Sequence, residues 1–242
     1  MTEKLYSTDA YAREVAAAVV DVDPDDGRVL LDRTVFYPGG GGQPHDTGAL
    51  WIGDDRLEVV RVASDGDRVW HWLEGGLPPT GTEVRGEVDW ERRYALMRTH
   101  TAMHALCGVV WERFQSPVTG GNMEPGEGRL DFEIADWDSD RDRDAIEDEL
   151  NRQLASARPV EVDFLPREEA DRDPSLIRTK VSLLPPDLRE VRVIDIVGLD
   201  RQADGGTHVQ ATDEVGRIRI VKVDNKGKGF RRIRIALAED GD

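Results

Sequence analysis

Residues 91–114 read Glu-Arg-Arg-Tyr-Ala-Leu-Met-Arg-Thr-His-Thr-Ala-Met-His-Ala-Leu-Cys-Gly-Val-Val-Trp-Glu-Arg-Phe. Leu96, Ala102, Met103, Leu106, Val110 and Trp111 recur at helical spacing, with no Gly or Pro before Gly108, so the stretch predicts a helix. His100 and His104 then lie on one face of it, with Cβ atoms about 5–6 Å apart. Two imidazoles so placed can close on one ion of the borderline-soft kind. Alone, such a pair as readily caps or packs. Asp204-Gly205-Gly206-Thr207-His208, about a hundred residues on, supplies a second pair from a turn, and the four residues together predict a metal site. A metalloprotease helix is a poor reading, because the glutamate base that must follow the first His is replaced by Thr101. Cys107 falls on the same helical face but would have to reach back along the helix, so it is read as a packed free thiol.

Upstream of this helix, short apolar runs (Val29 to Leu31, Ala49 to Ile52, Leu57 to Val62, Arg68 to Leu73, Glu83 to Val88) alternate with Asp-Gly, Gly-Gly and Pro-Pro punctuation. That pattern predicts a small antiparallel β domain over 1–90. Downstream, a strand at Arg129 to Ile134, an acidic helix from about Ser139 to Ala157 and strands at Val160 to Phe164, Glu190 to Val197, Arg217 to Val223 and Arg232 to Leu237 predict an α+β domain over 91–242. The fold class is therefore α+β, with a β-barrel-like amino-terminal domain ahead of a metal-bearing α+β domain.

The 242 residues carry 49 acidic and 32 basic side chains, a net charge of −17, which argues against a general electrostatic grip on nucleic acid or anionic membrane. Lys4, Lys180, Lys222, Lys226 and Lys228 are the only lysines, while aspartates cluster from Asp21 to Asp26 and Asp136 to Asp144. This resembles proteins of salt-loving cytoplasms, with the clusters read as a solvated acidic surface. One cysteine excludes an internal disulfide, and no apolar leader or membrane-length run is present, so the expectation is a soluble, cytoplasmic monomer without membrane or DNA partners. Any nucleic acid must be held locally. The stretch Lys222 to Arg234, with six bases and one acid, predicts such a phosphate-contacting patch, centred on Lys226, Lys228, Arg231 and Arg232.

Phe36-Tyr37-Pro38-Gly39-Gly40-Gly41-Gly42-Gln43-Pro44 is too glycine-dense for an ordinary turn, although composition alone favours a flexible hairpin loop. Nor is it a phosphate loop of the usual kind, since no Gly-Lys-Ser/Thr follows. This element, the Arg98 to His104 motif, Val118-Thr119-Gly120-Gly121, Gly205-Gly206-Thr207-His208-Val209 and Asn225-Lys226-Gly227-Lys228-Gly229 together resemble, in order, the alanyl-tRNA editing hydrolases (AlaX) of medium length.

The resemblance implies a trans-editing deacylase acting at the acceptor end of mischarged tRNA(Ala), with seryl-tRNA(Ala) as first candidate and glycyl-tRNA(Ala) as second, and with a zinc ion as cofactor. It carries the ligand roles to His100, His104 and His208, while Asp204 stands where the family has cysteine. Zinc accepts a carboxylate oxygen, so His-His-Asp-His is chemically sound, although carboxylate also suits manganese or iron. Thr119 matches a threonine placed to read the serine hydroxyl, and with Asp204 makes up the expected catalytic pair. Gly40, Gly41 and Gln43 join Thr119 and the four basic residues as expected substrate contacts. Two other readings stand beside this one: a threonyl-tRNA-type editing domain, disfavoured by the Phe36 to Gln43 element, and a catalytically silent tRNA-binding protein. A detached synthetase piece is disfavoured, since the chain starts with its own Met1.

Overall fold

The computed structural model describes residues 1–139, 141–178 and 188–238. They form two compact units, Met1–Ala95 and Leu96–Asp242. Among the described residues no helix is long and apolar enough to cross a membrane.

In the first unit β1 (Glu3–Lys4) pairs in parallel with β4 (Arg33–Thr34). Six strands, β2 (Glu14–Asp23), β3 (Arg28–Leu31), β5 (Gly48–Ile52), β6 (Asp55–Asp65), β7 (Arg68–Glu74) and β8 (Glu83–Val88), close a barrel in the order β2-β3-β7-β6-β5-β8. Closure removes sheet edges, and the alternating inward residues Val15, Ala17, Val19, Val59, Val62, Val84 and Val88 fill the interior with Leu31, Leu50 and Phe36. Gly48 is required where β5 meets β8, because a Cβ there would lie 2.1 Å from the Glu87 carbonyl oxygen. β2 was not among the expected strands; its Ala16-Ala17-Ala18 run carries a helix former's propensity and interrupts the valines on either side.

The glycine-rich element precedes β5. Gly39 to Gly42 all have positive φ, and Gly40 and Gln43 exchange both backbone hydrogen bonds across Gly41-Gly42. Two successive positive φ values are what a tight hairpin turn of this kind demands. The Tyr37 hydroxyl donates to the Gly40 carbonyl at 3.1 Å, and Tyr37 N–H donates to Asp46 Oδ2 at 2.5 Å, so the loop is braced rather than free.

Asp89 caps the helix α1 (Trp90–Phe114), its Oδ1 accepting from Arg92 N–H at 3.1 Å. From Thr99 to Val110 every residue of this helix is buried, so the expected one-sided stripe is in fact a helix covered all round. Gly108 is needed for that, since a Cβ would meet the Leu199 carbonyl at 2.8 Å.

In the second unit, β9 (Val118–Glu124) and β10 (Glu127–Glu133) join β14 (Ile218–Gly227) and β15 (Phe230–Leu237) in a sheet ordered β14-β15-β10-β9. The helix α2 (Asp142–Leu154) buries Ile146, Leu150 and Leu154. Its Arg143, Glu147 and Asn151, one face of a helix at i, i+4 and i+8, bond the backbone of Ile218 and Ile220 and so cover the β14 edge. Asp142, expected in a solvated acidic run, is instead fully buried, accepting from Arg113 at 2.6 Å and from Asp138 N–H at 2.8 Å. A second sheet, β11 (Val160–Pro166), β12 (Glu190–Ile196) and β13 (Asp200–Ala203), is backed on one face by the short helix α3 (Arg167–Ala170) and Leu176.

Candidate metal centre

α1 presents His100 and His104, and the segment leaving β13 returns Asp204 and His208. One ligand atom from each of the four lies within 4.8 Å of all the others, close enough to share one ion. The His100 and His208 rings stack at 4.3 Å between centroids, and His104 meets both edge-on at 5.1 and 4.8 Å. Asp204 Oδ1 is 3.0 Å from His208 Nε2 and 3.7 Å from His100 Nε2, contacts that a shared proton or a shared cation would satisfy.

The turn is fixed by its own polar groups. Gly206 N–H donates to Asp204 Oδ1 at 2.9 Å, and the Arg192 guanidinium donates to the carbonyls of Asp204 and Gly206 at 3.0 and 2.8 Å. Burial pushes the His100 imidazole down to about 4 and holds His208 well below its usual value, so both rings are neutral near pH 7, the form that ligates. Burial opposes ionisation of Asp204, yet the facing His100 and the His208 hydrogen bond outweigh it and hold the carboxyl well below the usual range. Three imidazoles and one carboxylate are a sound donor set for a divalent ion of the zinc type.

Two supporting residues escaped the sequence reading. Asp200 Oδ2 lies 3.1 Å from His104 Nδ1 and also accepts from Gln202 at 2.6 Å. This pairing places the His104 proton on Nδ1 and leaves the Nε2 lone pair for a metal. Burial would lower the His104 value, but the Asp200 bond outweighs it and raises it. Thr101 Oγ1 lies 3.2 Å from His208 Nδ1 and accepts from Val209 N–H at 3.3 Å, orienting that ring in the same way. Asp200 left no signal in the sequence, because β13, the strand that carries it, was not expected. Asp200→Ala should weaken metal affinity ~10–100-fold while leaving the four donors in place. Competition with a chromophoric chelator measures this, and unchanged affinity would reduce Asp200 to a packing role.

The other predicted residues are placed as follows. Cys107 lies outside the cluster, and burial pushes its thiol up. Thr119 is the extra residue of a β-bulge: Gly120 pairs with Asp131 and Val118 with Phe132, leaving nothing opposite it. Its hydroxyl donates to the Asp131 carbonyl at 3.2 Å, which leaves oxygen lone pairs to accept. Bulges of this sort re-aim side chains. Gly40 and Gly41 are exposed at the tip of their loop, whereas Gln43 is buried within it. Lys226 and Lys228 are exposed at the β14–β15 turn, and Arg231 leans on Asn225 Oδ1 and the Phe230 carbonyl. Arg232 does not fit the expected open patch: Asp131 of β10 grips it at 2.7 and 2.8 Å. Asp224 likewise takes Lys222 at 2.6 Å and Arg234 at 3.0 Å. The six-to-one excess of bases is thus partly neutralised by an acid remote in sequence.

A buried His/Asp centre built on a helix and a strand-end turn defines the class in which the chain falls. Residues 191–234 match the family described as threonyl and alanyl tRNA synthetase second additional domain, and residues 8–92 match class II (A) tRNA synthetases. The chain is 37% identical over 239 residues to the alanyl-tRNA editing protein AlaX-M of Saccharolobus solfataricus, covering 96% of this chain and 98% of that one. It is 37% identical over 246 residues to the AlaX-M protein of Methanosarcina barkeri, covering 99% and 100%. The alanine–tRNA ligase of Pyrobaculum neutrophilum is 38% identical over 238 residues, but that match spans only 26% of the ligase. The chain belongs to the AlaX-M family of alanyl-tRNA editing proteins.

Proposed function

We propose that this protein is a trans-editing deacylase that hydrolyses the aminoacyl ester of mischarged tRNA(Ala), seryl-tRNA(Ala) first and glycyl-tRNA(Ala) second. One observation carries the reading: a buried donor set of His100, His104, Asp204 and His208 in a chain that matches AlaX-M proteins from end to end. These four residues would hold a zinc ion, which when bound supplies Lewis acidity for ester hydrolysis. Asp204, at 13% the most exposed side chain of the four, is the member best placed to meet the incoming ester and water. Asp200 and Thr101 hold the imidazoles in their ligating tautomers.

Thr119, re-aimed by its bulge and already donating to Asp131, offers a lone pair to the hydroxyl of a seryl group. Alanine lacks that hydroxyl and would leave the oxygen unpaired, which is how a polar site rejects the correct amino acid. In our reading residues 91–242 are the editing domain and residues 1–90 present the glycine element. Gly40 and Gly41 are the part of that element a substrate can approach, with Gln43 holding the loop. Phosphate contacts fall mainly to Lys226 and Lys228, with Arg231 beside them. The acidic remainder suits a salt-rich cytoplasm, where counterions screen its self-repulsion.

Deacylation of seryl-, glycyl- and alanyl-tRNA(Ala) by the zinc-loaded protein tests the proposal. Hydrolysis of the first two with alanyl-tRNA spared is expected, and tRNA binding without hydrolysis would make the protein a silent binder. Thr119→Val should lower seryl-tRNA hydrolysis about tenfold or more and glycyl-tRNA hydrolysis far less. Equal losses would remove Thr119 from discrimination.

A further inference from the structure

The β11–β12–β13 sheet has one face backed by Ala170, Leu176, Val191 and Val193, and the opposite face turned to the metal centre. Cross-strand partners share a face, so the pairings lay out the second face in rows. Val160, Ile196 and Asp200 form one row, and Val162, Ile194 and Gln202 the next. The third runs from Phe164 to Arg192 and, through the Asp204 N–H bond to the Arg192 carbonyl, to Asp204 itself. In β12, β13 and the turn that leaves β13, these rows carry the acid that supports His104, the arginine that holds the ligand turn and a candidate ligand. In β11, one of the sheet's two edge strands, the same rows end in Val162 and Phe164, which are 38% and 40% exposed.

An exposed aromatic side chain that continues the metal-bearing face is not required by the core. At ~4.8 Å per strand it stands about 10 Å from the Asp204 backbone, on the far side of the Arg192 cation. In an aminoacyl-tRNA the ester sits on the terminal ribose, and the unpaired terminal base is attached to the other side of that same sugar. The row from Asp204 through Arg192 to Phe164 offers the base of an ester held at the cluster a flat apolar surface flanked by a guanidinium. That is the chemistry on which single-stranded bases stack.

We infer that Phe164, with Val162 beneath it, is the stacking platform for the terminal adenine of the tRNA acceptor end. This rests on the deacylase reading above.

The test compares wild type with Phe164→Ala and Phe164→Trp, using tRNA(Ala) whose terminal adenosine is replaced by 2-aminopurine, together with steady-state deacylation of seryl-tRNA(Ala). Wild type and Phe164→Trp should quench the 2-aminopurine fluorescence. Phe164→Ala should lose the quenching and raise KM ~10–100-fold, with kcat within about threefold and metal content unchanged. Normal quenching and KM in Phe164→Ala would overturn the platform. So would a wild-type dimer in sedimentation that Phe164→Ala converts to monomer, since the patch would then be a contact between copies. The quenching arm uses uncharged tRNA, so it still judges the platform if wild type proves unable to deacylate, an outcome that would sink the function instead.

Discussion

Asp204→Ala loses metal affinity by ~100-fold or more, beyond the 10–100-fold typical of supporting residues, and deacylation falls with it. Asp204 is the one anionic donor in the cluster, and its Oδ1 touches His208 and faces His100. Its removal leaves three imidazoles without a charged partner for a dication. Asp204→Cys, by contrast, keeps a zinc site, because a thiolate reaches the ion at ~2.3 Å against ~2.0–2.2 Å for carboxylate oxygen. Cys107→Ser leaves metal content intact, since that thiol lies outside the cluster. Chelator competition and elemental analysis of the three variants decide the matter. Wild-type metal content and rate in Asp204→Ala would return Asp204 to the class of ordinary acidic turn residues.

Asp46→Ala destabilises the first unit by ~3–5 kcal/mol, the cost of leaving a buried charge without its partner. Arg93 and Asp46 are both fully buried and directly paired. The guanidinium also donates to the Ala10 and Val35 carbonyls at 2.9 and 2.6 Å, while Asp46 accepts from Tyr37 N–H at the root of the glycine element. Four segments distant in sequence thus meet on one ion pair, so its loss also loosens the Gly39 to Gly42 loop. Replacing both partners with apolar residues, Arg93→Met with Asp46→Leu, recovers much of the loss, because an apolar pair leaves no uncompensated charge. Urea unfolding with unchanged m separates these outcomes. A single-mutant cost under ~1 kcal/mol would show that the pair is dispensable.

Local rules reached far in this chain. The Asp-Gly and Gly-Gly punctuation, with short β-branched runs between, was enough to expect a β-barrel-like first unit, and a six-stranded closed barrel is what forms. Helical periodicity over residues 91–114 put His100 and His104 on one face, since i, i+4 geometry needs no tertiary information. β9 and β13 went unexpected, the first because Gly120 and Gly121 carry no strand signal and the second because four residues are too few for a period to show.

What the sequence alone determined was therefore what depends on neighbours within a few residues: five of the six strands of the barrel, the helix and the pairing of its two histidines. Only the tertiary structure decided what depends on residues brought together across the chain. It set Asp200 against His104, Thr101 against His208, Asp131 on Arg232, Asp46 on Arg93, and Phe164 in the row that ends at Asp204. Each of these is a partner for a polar or exposed group whose need is written locally. Which residue meets it is set by strand register and packing, quantities that no short window of sequence contains.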